Sequence, residues 1–120
     1  MNDETHYRLL KLIEVNPGVS QRELANSMGV SLGNINYCLR AVMERGLVKV
    51  KNFKANPRKR VYAYYLTPKG MEEKTRVTTR FLKRKIQEYE ELKREIVQLR
   101  RETVEAEGAE VTTLLTRTER

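Results

Sequence analysis

The sequence predicts a mainly α-helical fold with one small β-hairpin, followed by a long, coiled-coil-like C-terminal helix. Three observations predict it. Three amphipathic helical segments precede residue 47, two β-prone runs flank a basic segment, and no residue breaks a helix between Met71 and Ala106. We therefore expect a compact domain over residues 1–67, a long helix over 68–107 and a flexible tail over 108–120.

The composition is basic, with 24 Lys and Arg residues against 16 Asp and Glu residues. Excess positive charge suits polyanions, of which nucleic acid comes first and acidic membrane or protein surfaces second. The single cysteine, Cys38, excludes an intramolecular disulfide and is compatible with a reducing compartment. Because the sequence contains no signal peptide, lipidation motif or long apolar run, we expect a cytoplasmic protein without a membrane partner.

The first helix is expected over Asp3–Val15, where leucines, isoleucine, valine and tyrosine form a broad apolar stripe. Asn2 or Asp3 can cap its start, and an Asn-Pro-Gly sequence ends it. His6 falls in its first turn without a second ligand nearby, so the sequence predicts no metal site there.

The next segment reads as two short helices that meet at a tight turn. Ser20 is a good N-cap with Glu23 at the capping-box position, and Gly29 suits the end of this helix. Ser31 can cap a second helix that runs to about Arg45. Its predicted buried face consists of Ile35, Leu39 and Val42, and the residues left facing outward are Gly33, Asn34, Asn36, Tyr37 and Arg40. This is the helix-turn-helix arrangement.

A β-hairpin is predicted after the second of these helices. Leu47–Lys51 alternates apolar and basic residues, and Val61–Leu66 is β-branched and aromatic. The intervening segment, Asn52–Arg60, contains an Asn-Pro turn signal and would form a cationic tip. Three helices followed by such a hairpin make a winged helix-turn-helix domain.

The outward residues of the second helix carry the chemistry of base recognition, because a major groove admits one α-helix. Asn34 and Asn36 can match the donor and acceptor of adenine, and Arg40 can reach guanine or a phosphate. Tyr37 can contact a sugar, a thymine methyl or a phosphate, and Gly33 allows a close backbone approach. The alternative is that these are merely exposed polar residues. Predicted contacts to the DNA backbone, from helix N-termini and the hairpin, are Ser20, Gln21, Arg22, Ser31, Lys54, Arg58, Lys59 and Arg60.

The long helix carries a heptad pattern that predicts a homodimer. Its apolar residues, which we expect at the dimer interface, are Leu82, Tyr89, Leu92, Ile96 and Leu99. The alternative is a lone, solvated helix with scattered apolar residues. We favour the dimer because a helix this highly charged has little to stabilise it without a partner.

Several sequence motifs resemble those of bacterial winged-helix regulators of the MarR type: Ser20–Ala25, Gly29–Arg40, Gly46–Val48 and Leu66–Gly70. The Asn-Ile-Asn-Tyr-Cys-Leu sequence and the single basic C-terminal helix are similar to a small subgroup associated with exopolysaccharide loci. The similarity extends from about Asn2 to Leu99. It implies a homodimeric transcription factor that binds a pseudo-palindromic DNA operator, often as a repressor.

Larger MarR proteins build the dimer from N- and C-terminal helices and hold an effector between the dimer and DNA-binding domains. Here the first helix starts almost at Met1, so a small-molecule effector remains an open question. A winged-helix adaptor that binds proteins through its coil is the alternative function. The sequence offers no catalytic residues, cofactor motif or metal-ligand spacing, so we expect no enzyme.

Overall fold

The computed structural model describes residues 1–56 and 59–108, with the backbone alone for residues 53–56 and 59–60. The elements in chain order are α1 (Asp3–Val15), α2 (Gln21–Met28), α3 (Leu32–Glu44), β1 (Val48–Asn56), β2 (Lys59–Leu66) and α4 (Pro68–Ala106). The predicted fold class is confirmed: a winged helix-turn-helix domain with a two-stranded hairpin precedes a long C-terminal helix. The tail predicted over 108–120 lies outside the described residues from position 109 onward.

The first three helices begin at the side-chain caps that the sequence offers. Asn2 Oδ1 accepts a hydrogen bond from the backbone N–H of Thr5 at 2.8 Å, so Asn2 rather than Asp3 is the cap of α1. Ser20 and Ser31 cap α2 and α3. Gly29 ends α2 with a φ of 67°, a left-handed conformation that glycine adopts without steric cost.

The β-hairpin is longer than the sequence indicates. β1 and β2 pair antiparallel from Val48 opposite Leu66 to Asn56 opposite Lys59, with an irregularity between Lys54 and Asn56. Most of Asn52–Arg60, predicted as a connection, is therefore strand. Because ladder hydrogen bonds join backbone groups, the pairing continues past the point where the alternation of apolar residues stops.

A short bridge fixes the hairpin to the segment before α2. The N–H of Tyr64 donates to the carbonyl of Val19, and the N–H of Gly18 donates to the carbonyl of Tyr64, both at 3.0 Å. The connection between α1 and α2 thus forms an isolated β-bridge with β2. This long-range pairing gave no signal in the sequence.

The core lies between α1, α2, α3, the base of the hairpin and the start of α4. Its largest fully buried side chains are Leu9, Leu10, Ile13, Leu24, Ile35, Leu39, Val42, Leu47 and Val77. The three residues predicted for the inner face of α3 are all buried, and Cys38 packs beside them as a small apolar side chain.

Contacts divide the chain into two units, Met1–Leu82 and a second that begins at Lys83. In the first unit the start of α4 packs on the winged domain, which comprises α1, α2, α3 and the hairpin. Gly70, Glu73 and Val77 are buried, and the ring of Phe81 stacks on Tyr7 with centroids 5.3 Å apart. This packing joins the beginning of the long helix to the domain that precedes it.

A cluster of charges lies on the same surface. Glu73 accepts a hydrogen bond from Arg45 at 3.0 Å and one from Arg76 at 3.2 Å, and Arg80 lies 3.5 Å from Asp3. Burial alone would raise the pKa of the Glu73 carboxyl, but the two arginine hydrogen bonds outweigh it and lower that pKa. The buried carboxylate thus stays ionised among its arginine partners.

In the second unit, every side chain of α4 from Lys83 to Ala106 is exposed. Hydrogen bonds and ion pairs run along the helix, such as Lys85 to Glu88 at 3.2 Å and Gln98 to Glu102 at 3.0 Å. The apolar heptad residues are exposed as well, from 40% for Ile96 to 59% for Tyr89. Among residues 1–56 and 59–108, no helix combines the length and apolar character that a membrane span requires.

Candidate nucleic-acid interface

The turn between α2 and α3 is held by side-chain hydrogen bonds at both helix starts. Ser20 Oγ accepts from the N–H of Glu23 at 3.1 Å, and Glu23 Oε1 accepts from the N–H of Ser20 at 2.9 Å. Hydrogen bonds to the Glu23 carboxylate, from the backbone N–H of Ser20 first and from the Ser20 side chain second, lower the pKa of Glu23. Gln21 Nε2 donates to the carbonyl of Leu32 at 3.2 Å and links the two helices directly. These hydrogen bonds hold the start of α3 against α2.

The five residues predicted to face outward from α3 divide between the centre of its outer face and the two flanks. Because successive residues of an α-helix are rotated by about 100°, Gly33, Tyr37 and Arg40 share the centre of the face opposite the core. All three are exposed, and Tyr37 retains 70% of its accessible surface. Asn34 and Asn36 lie on opposite flanks of that face. Asn34 is exposed, whereas Asn36 is half-buried.

Asn34 is also engaged within the chain. Its Oδ1 accepts a hydrogen bond from the thiol of Cys38 at 3.5 Å, and its backbone N–H donates to Ser31 Oγ at 3.1 Å. Burial raises the pKa of the Cys38 thiol, so the group stays protonated and acts as a weak donor. Asn34 and Cys38 line a cavity of about 280 Å³ beside the start of α1, together with Met1, Asn2, Thr5, Met28, Val30, Ile35 and Tyr37.

Gly33 has no packing reason to be glycine. A Cβ built at this position meets only Ser31 Oγ, at 4.0 Å, and the φ of Gly33 is not positive. Glycine within a helix costs about 0.5–1 kcal/mol relative to alanine. The first turn of α3 therefore exposes backbone at Gly33, and no neighbouring described residue makes a glycine necessary there.

Four residues that were predicted to contact phosphate lie at the starts of α2 and α3. The side chains of three of them make hydrogen bonds within the chain. Ser20 and Ser31 cap the helices, and Gln21 bonds to Leu32. Arg22 is exposed. The free backbone N–H groups of a first helical turn still favour an anion, although the Glu23 carboxylate already occupies the N–H of Ser20.

The hairpin contributes further cations. Lys49 and Lys51 of β1 are exposed, and the Lys51 ammonium lies 5.1 Å from the centroid of the Tyr65 ring. The backbone register makes Lys54 and Arg60 cross-strand partners. The side chains of the four predicted wing residues, Lys54, Arg58, Lys59 and Arg60, lie outside the described residues. Lys49 and Lys51 are additional candidates that follow from the basic composition of the segment.

Metal-binding side chains were sought across the part of the chain that the structure describes. Across the described ranges 1–56 and 59–108, no three His, Cys, Asp or Glu side chains gather in a way that could hold a metal ion.

A sequence profile described as winged helix-turn-helix DNA-binding matches residues 2–49. Residues 2–49 are therefore similar to the helical part of a winged helix-turn-helix DNA-binding domain. The matched range contains all three helices of the winged domain and the start of its hairpin. Among proteins with curated functions, none matches this chain.

Several solved structures share the fold. The transcriptional repressor CouR, bound to a 23-mer DNA duplex, is 26% identical with a TM-score of 0.61, over 90% of this chain and 70% of CouR. MarR is 24% identical with a TM-score of 0.57, over 89% of this chain and 79% of MarR. The PcaV regulator from Streptomyces coelicolor, in complex with its natural ligand, is 22% identical with a TM-score of 0.59. That match covers 65% of this chain and only 54% of PcaV. The winged domain thus has the fold of DNA-binding transcriptional regulators of the MarR family.

Proposed function

We propose that this chain is a MarR-type regulator of transcription that acts in the cytoplasm and binds a pseudo-palindromic site on double-stranded DNA as a homodimer. The observation that carries the proposal is the outer face of α3. Gly33, Tyr37 and Arg40 point away from the core of a winged helix-turn-helix domain, and exposed lysines follow on the adjoining hairpin. Side chains suited to contact DNA bases and side chains suited to attract DNA phosphates thus lie in the same small domain.

α3 fits the role of recognition helix by shape and by chemistry. A major groove about 12 Å wide accepts one α-helix, and the open backbone at Gly33 permits a close approach. Arg40 can donate to guanine O6 and N7 or to a phosphate, and Tyr37 can contact a thymine methyl or the sugar. Asn34 and Asn36 on the flanks can each offer an amide to a base edge, although the oxygen of Asn34 is already shared with Cys38.

The electrostatic part of binding would come from residues around α3. Arg22, Lys49 and Lys51 are exposed, and Lys54, Arg58, Lys59 and Arg60 complete the basic segment of the hairpin. Ser20, Gln21 and Ser31 hold the two helix starts in the orientation that presents backbone N–H groups to phosphate.

Dimerisation is supported by the exposed stripe on α4, formed by Leu82, Tyr89, Leu92, Ile96 and Leu99. A highly charged helix that exposes every side chain from Lys83 to Ala106 gains little stability by itself. A second copy on this stripe would bury it and bring two recognition helices to one DNA molecule. Half-sites about one helical turn apart, or a multiple of it, are then expected.

Repression is the regulatory sense we propose, and exopolysaccharide-related genes are the proposed targets. Both rest on the resemblance of the Asn-Ile-Asn-Tyr-Cys-Leu segment in α3 and of the single basic C-terminal helix to that MarR subgroup. Sequencing of genomic fragments retained by the purified protein identifies the targets directly, and transcript levels in a deletion strain give the sign of regulation.

The central test measures the affinity of the purified full chain for a selected DNA site and for random DNA over a range of salt. We expect log K to fall by about 0.9 per phosphate neutralised for each unit of log salt. Arg40→Ala should weaken binding to the selected site about tenfold or more. Arg101→Ala, which removes the same charge from the distal part of α4, is the matched control and should leave affinity unchanged.

A second pair of variants separates base readout from general affinity. Asn36→Ala should reduce the preference for the selected site, whereas Asn26→Ala on the exposed surface of α2 should not. An equal loss on selected and random DNA would remove Asn36 from base readout. The absence of salt-sensitive binding to any DNA would reject the regulator and leave the protein-binding adaptor.

A further inference from the structure

We infer that two copies of α4 associate as a parallel, in-register coiled coil, an inference that rests on the homodimer of the proposed function. It concerns the direction in which the second copy lies, which the apolar stripe alone does not specify. The stripe sets Leu82, Tyr89 and Ile96 at the a positions of successive heptads and Leu92 and Leu99 at d. All five are exposed on the helix.

The charges that flank the stripe are segregated by heptad position. The g positions are Glu88, Glu95 and Glu102, and the e positions that follow them are Lys93, Arg100 and Glu107. One edge of the apolar stripe is therefore acidic. The other edge is basic at Lys93 and Arg100, in the two heptads that contain Leu92, Ile96 and Leu99.

In a parallel pair, the g residue of one helix meets the e residue five positions later on its partner. Glu88 then meets Lys93 of the second copy, and Glu95 meets Arg100. Two-fold symmetry repeats each contact, which gives four favourable pairs. Among these g-to-e pairs, Glu102 and Glu107 form the unfavourable match, and it falls where α4 ends at Ala106. Lys85, at the d position before Leu92, would face its own copy at the other end of the stripe.

In an antiparallel pair, g meets g and e meets e. The acidic edges would then face each other, as would the basic edges, so the same residues would oppose association. The core composition favours the same direction, because β-branched Ile96 at a with Leu92 and Leu99 at d is the combination typical of parallel dimers. Charge and core shape thus agree on a parallel second copy.

These side chains are available for the contacts. Within the helix, Lys93 lies 3.9 Å from Glu90 and 5.3 Å from the centroid of the Tyr89 ring. Glu88 pairs with Lys85 at 3.2 Å, again at an exposed site. Exposed pairs of this kind contribute little to stability, so they can give way to contacts between helices.

Parallel pairing has a consequence for the proposed function. The N-terminal ends of both α4 helices lie together in such a coil, so chain connectivity brings both winged domains to the same end. An antiparallel coil would separate the two attachment points by the length of the paired segment. Two neighbouring half-sites are therefore a natural target of the parallel dimer.

Disulfide trapping tests the direction. In a Cys38→Ser background, Leu92→Cys and Leu99→Cys are prepared singly and oxidised, with Arg94→Cys at an outward f position as the control. A disulfide requires Cα atoms within about 7 Å. In a parallel, in-register coil both d positions meet their own copies, so both variants should convert largely to covalent dimers while the control does not.

An antiparallel coil cannot give that result. Residues 92 and 99 are separated by about 10 Å along the helix, so an antiparallel alignment can bring at most one of them to its own copy. Covalent dimer from one variant only, or from neither, would overturn the inference. Circular dichroism and sedimentation of the reduced proteins establish that each variant is folded and show its oligomeric state.

A charge series gives an independent readout. Glu88→Lys with Glu95→Lys turns four attractive pairs into repulsive ones and should raise the dimer dissociation constant by about tenfold or more. Adding Lys93→Glu and Arg100→Glu restores the attraction and should recover the original constant. Glu90→Lys with Glu91→Lys makes the same change in net charge outside the interface and is the matched control.

The series separates the inference from the proposed function. In an antiparallel coil the first double variant exchanges glutamate pairs for lysine pairs, so an unchanged dissociation constant would reject the parallel arrangement while leaving the dimer intact. A parent protein that sediments as a monomer would reject the dimer as well. DNA affinity is measured separately, so binding by a monomer would leave DNA recognition standing.

Discussion

The carboxylate of Glu73 on α4 lies 3.0 Å from Nη2 of Arg45, the residue that caps the end of α3. Its second oxygen accepts from Arg76 at 3.2 Å, and Arg80 lies 3.8 Å away. A buried carboxylate thus joins the end of α3 to the beginning of the long helix. The arginines are about half exposed, so they stay hydrated on their outer sides while Glu73 does not.

Replacing Glu73 by glutamine should destabilise the protein by about 1–3 kcal/mol, because it removes charge-assisted hydrogen bonds at a buried position. Glu14→Gln is the matched control. Glu14 pairs with Lys74 at 2.8 Å, but both side chains keep about a quarter of their surface exposed, so the loss should stay below about 1 kcal/mol. Urea unfolding at one protein concentration measures both variants. An equal or smaller loss for Glu73→Gln would contradict the role of the cluster.

The local features of the fold could be predicted from the sequence because each depends on residues close together in the chain. Asn2, Ser20 and Ser31 cap their helices through bonds to residues three positions away, and Gly29 ends α2 through its own backbone conformation. The inner face of α3 follows from helical spacing alone. Capping and periodicity are short-range effects, so a single sequence contains them.

Features that depend on distant residues could not be predicted. The pairing of Tyr64 with Val19, the arginine cluster around Glu73 and the extension of the strands to Asn56 and Lys59 need the tertiary structure. At the candidate site, exposure of the α3 face followed from the pattern. The use of Gln21 to link two helices did not, because it bonds to a residue eleven positions later.

The burial of His6 should make the stability of the fold depend on pH. It is buried on α1, and Nε2 has no hydrogen-bond partner among the described residues. Burial lowers its pKa below 6.5, and the charges of Arg45 and Arg80 act in the same direction. Below about pH 6.5 the unfolded chain therefore takes up a proton that the folded chain resists. Stability should fall as the pH drops from 6.5 toward the folded-state pKa.

Melting temperatures measured between about pH 7.5 and 5 test this dependence, and His6→Leu should reduce the loss over that range because it removes the titrating group. Glu73 also has a lowered pKa, so its contribution is present above 4.5 and is lost at lower pH. The two groups can thus be separated by the pH at which stability changes. An identical pH profile for parent and His6→Leu would exclude His6 as the source.

The packing around Gly70 on α4 leaves no room for a side chain. It is buried, and a Cβ built there overlaps the carbonyl oxygen of Leu47 and crowds a methyl of Leu66 at 3.1 Å. Gly70→Ala should therefore destabilise the protein by about 1–3 kcal/mol or more, despite the higher helix propensity of alanine. Gly108→Ala is the control, since no atom of the described ranges 1–56 and 59–108 comes within 4 Å of a Cβ built there. Thermal melts that move equally for both variants would show that helix α4 can shift away from the hairpin.

Replacing Gly33 by alanine should raise stability, whereas the same change at Gly70 lowers it, and it should also weaken DNA binding. Its Cβ would meet only Ser31 Oγ at 4.0 Å, so Gly33→Ala should stabilise the fold by about 0.5–1 kcal/mol through lower backbone entropy in the unfolded chain. The added methyl stands on the outer face of α3, where we propose that DNA approaches. The affinity for the selected site should fall about tenfold, because a close backbone approach leaves no room for a methyl group.

Separate assays of stability and affinity on the same Gly33→Ala protein distinguish this effect from misfolding. Ser27→Ala is a suitable control, because it introduces alanine at an exposed helical position of α2 away from the proposed groove contact. It should raise stability slightly and leave DNA affinity unchanged. If Gly33→Ala binds the selected site as tightly as the parent, the first turn of α3 does not approach the bases closely. Recognition would then depend on Tyr37 and Arg40 further along the helix.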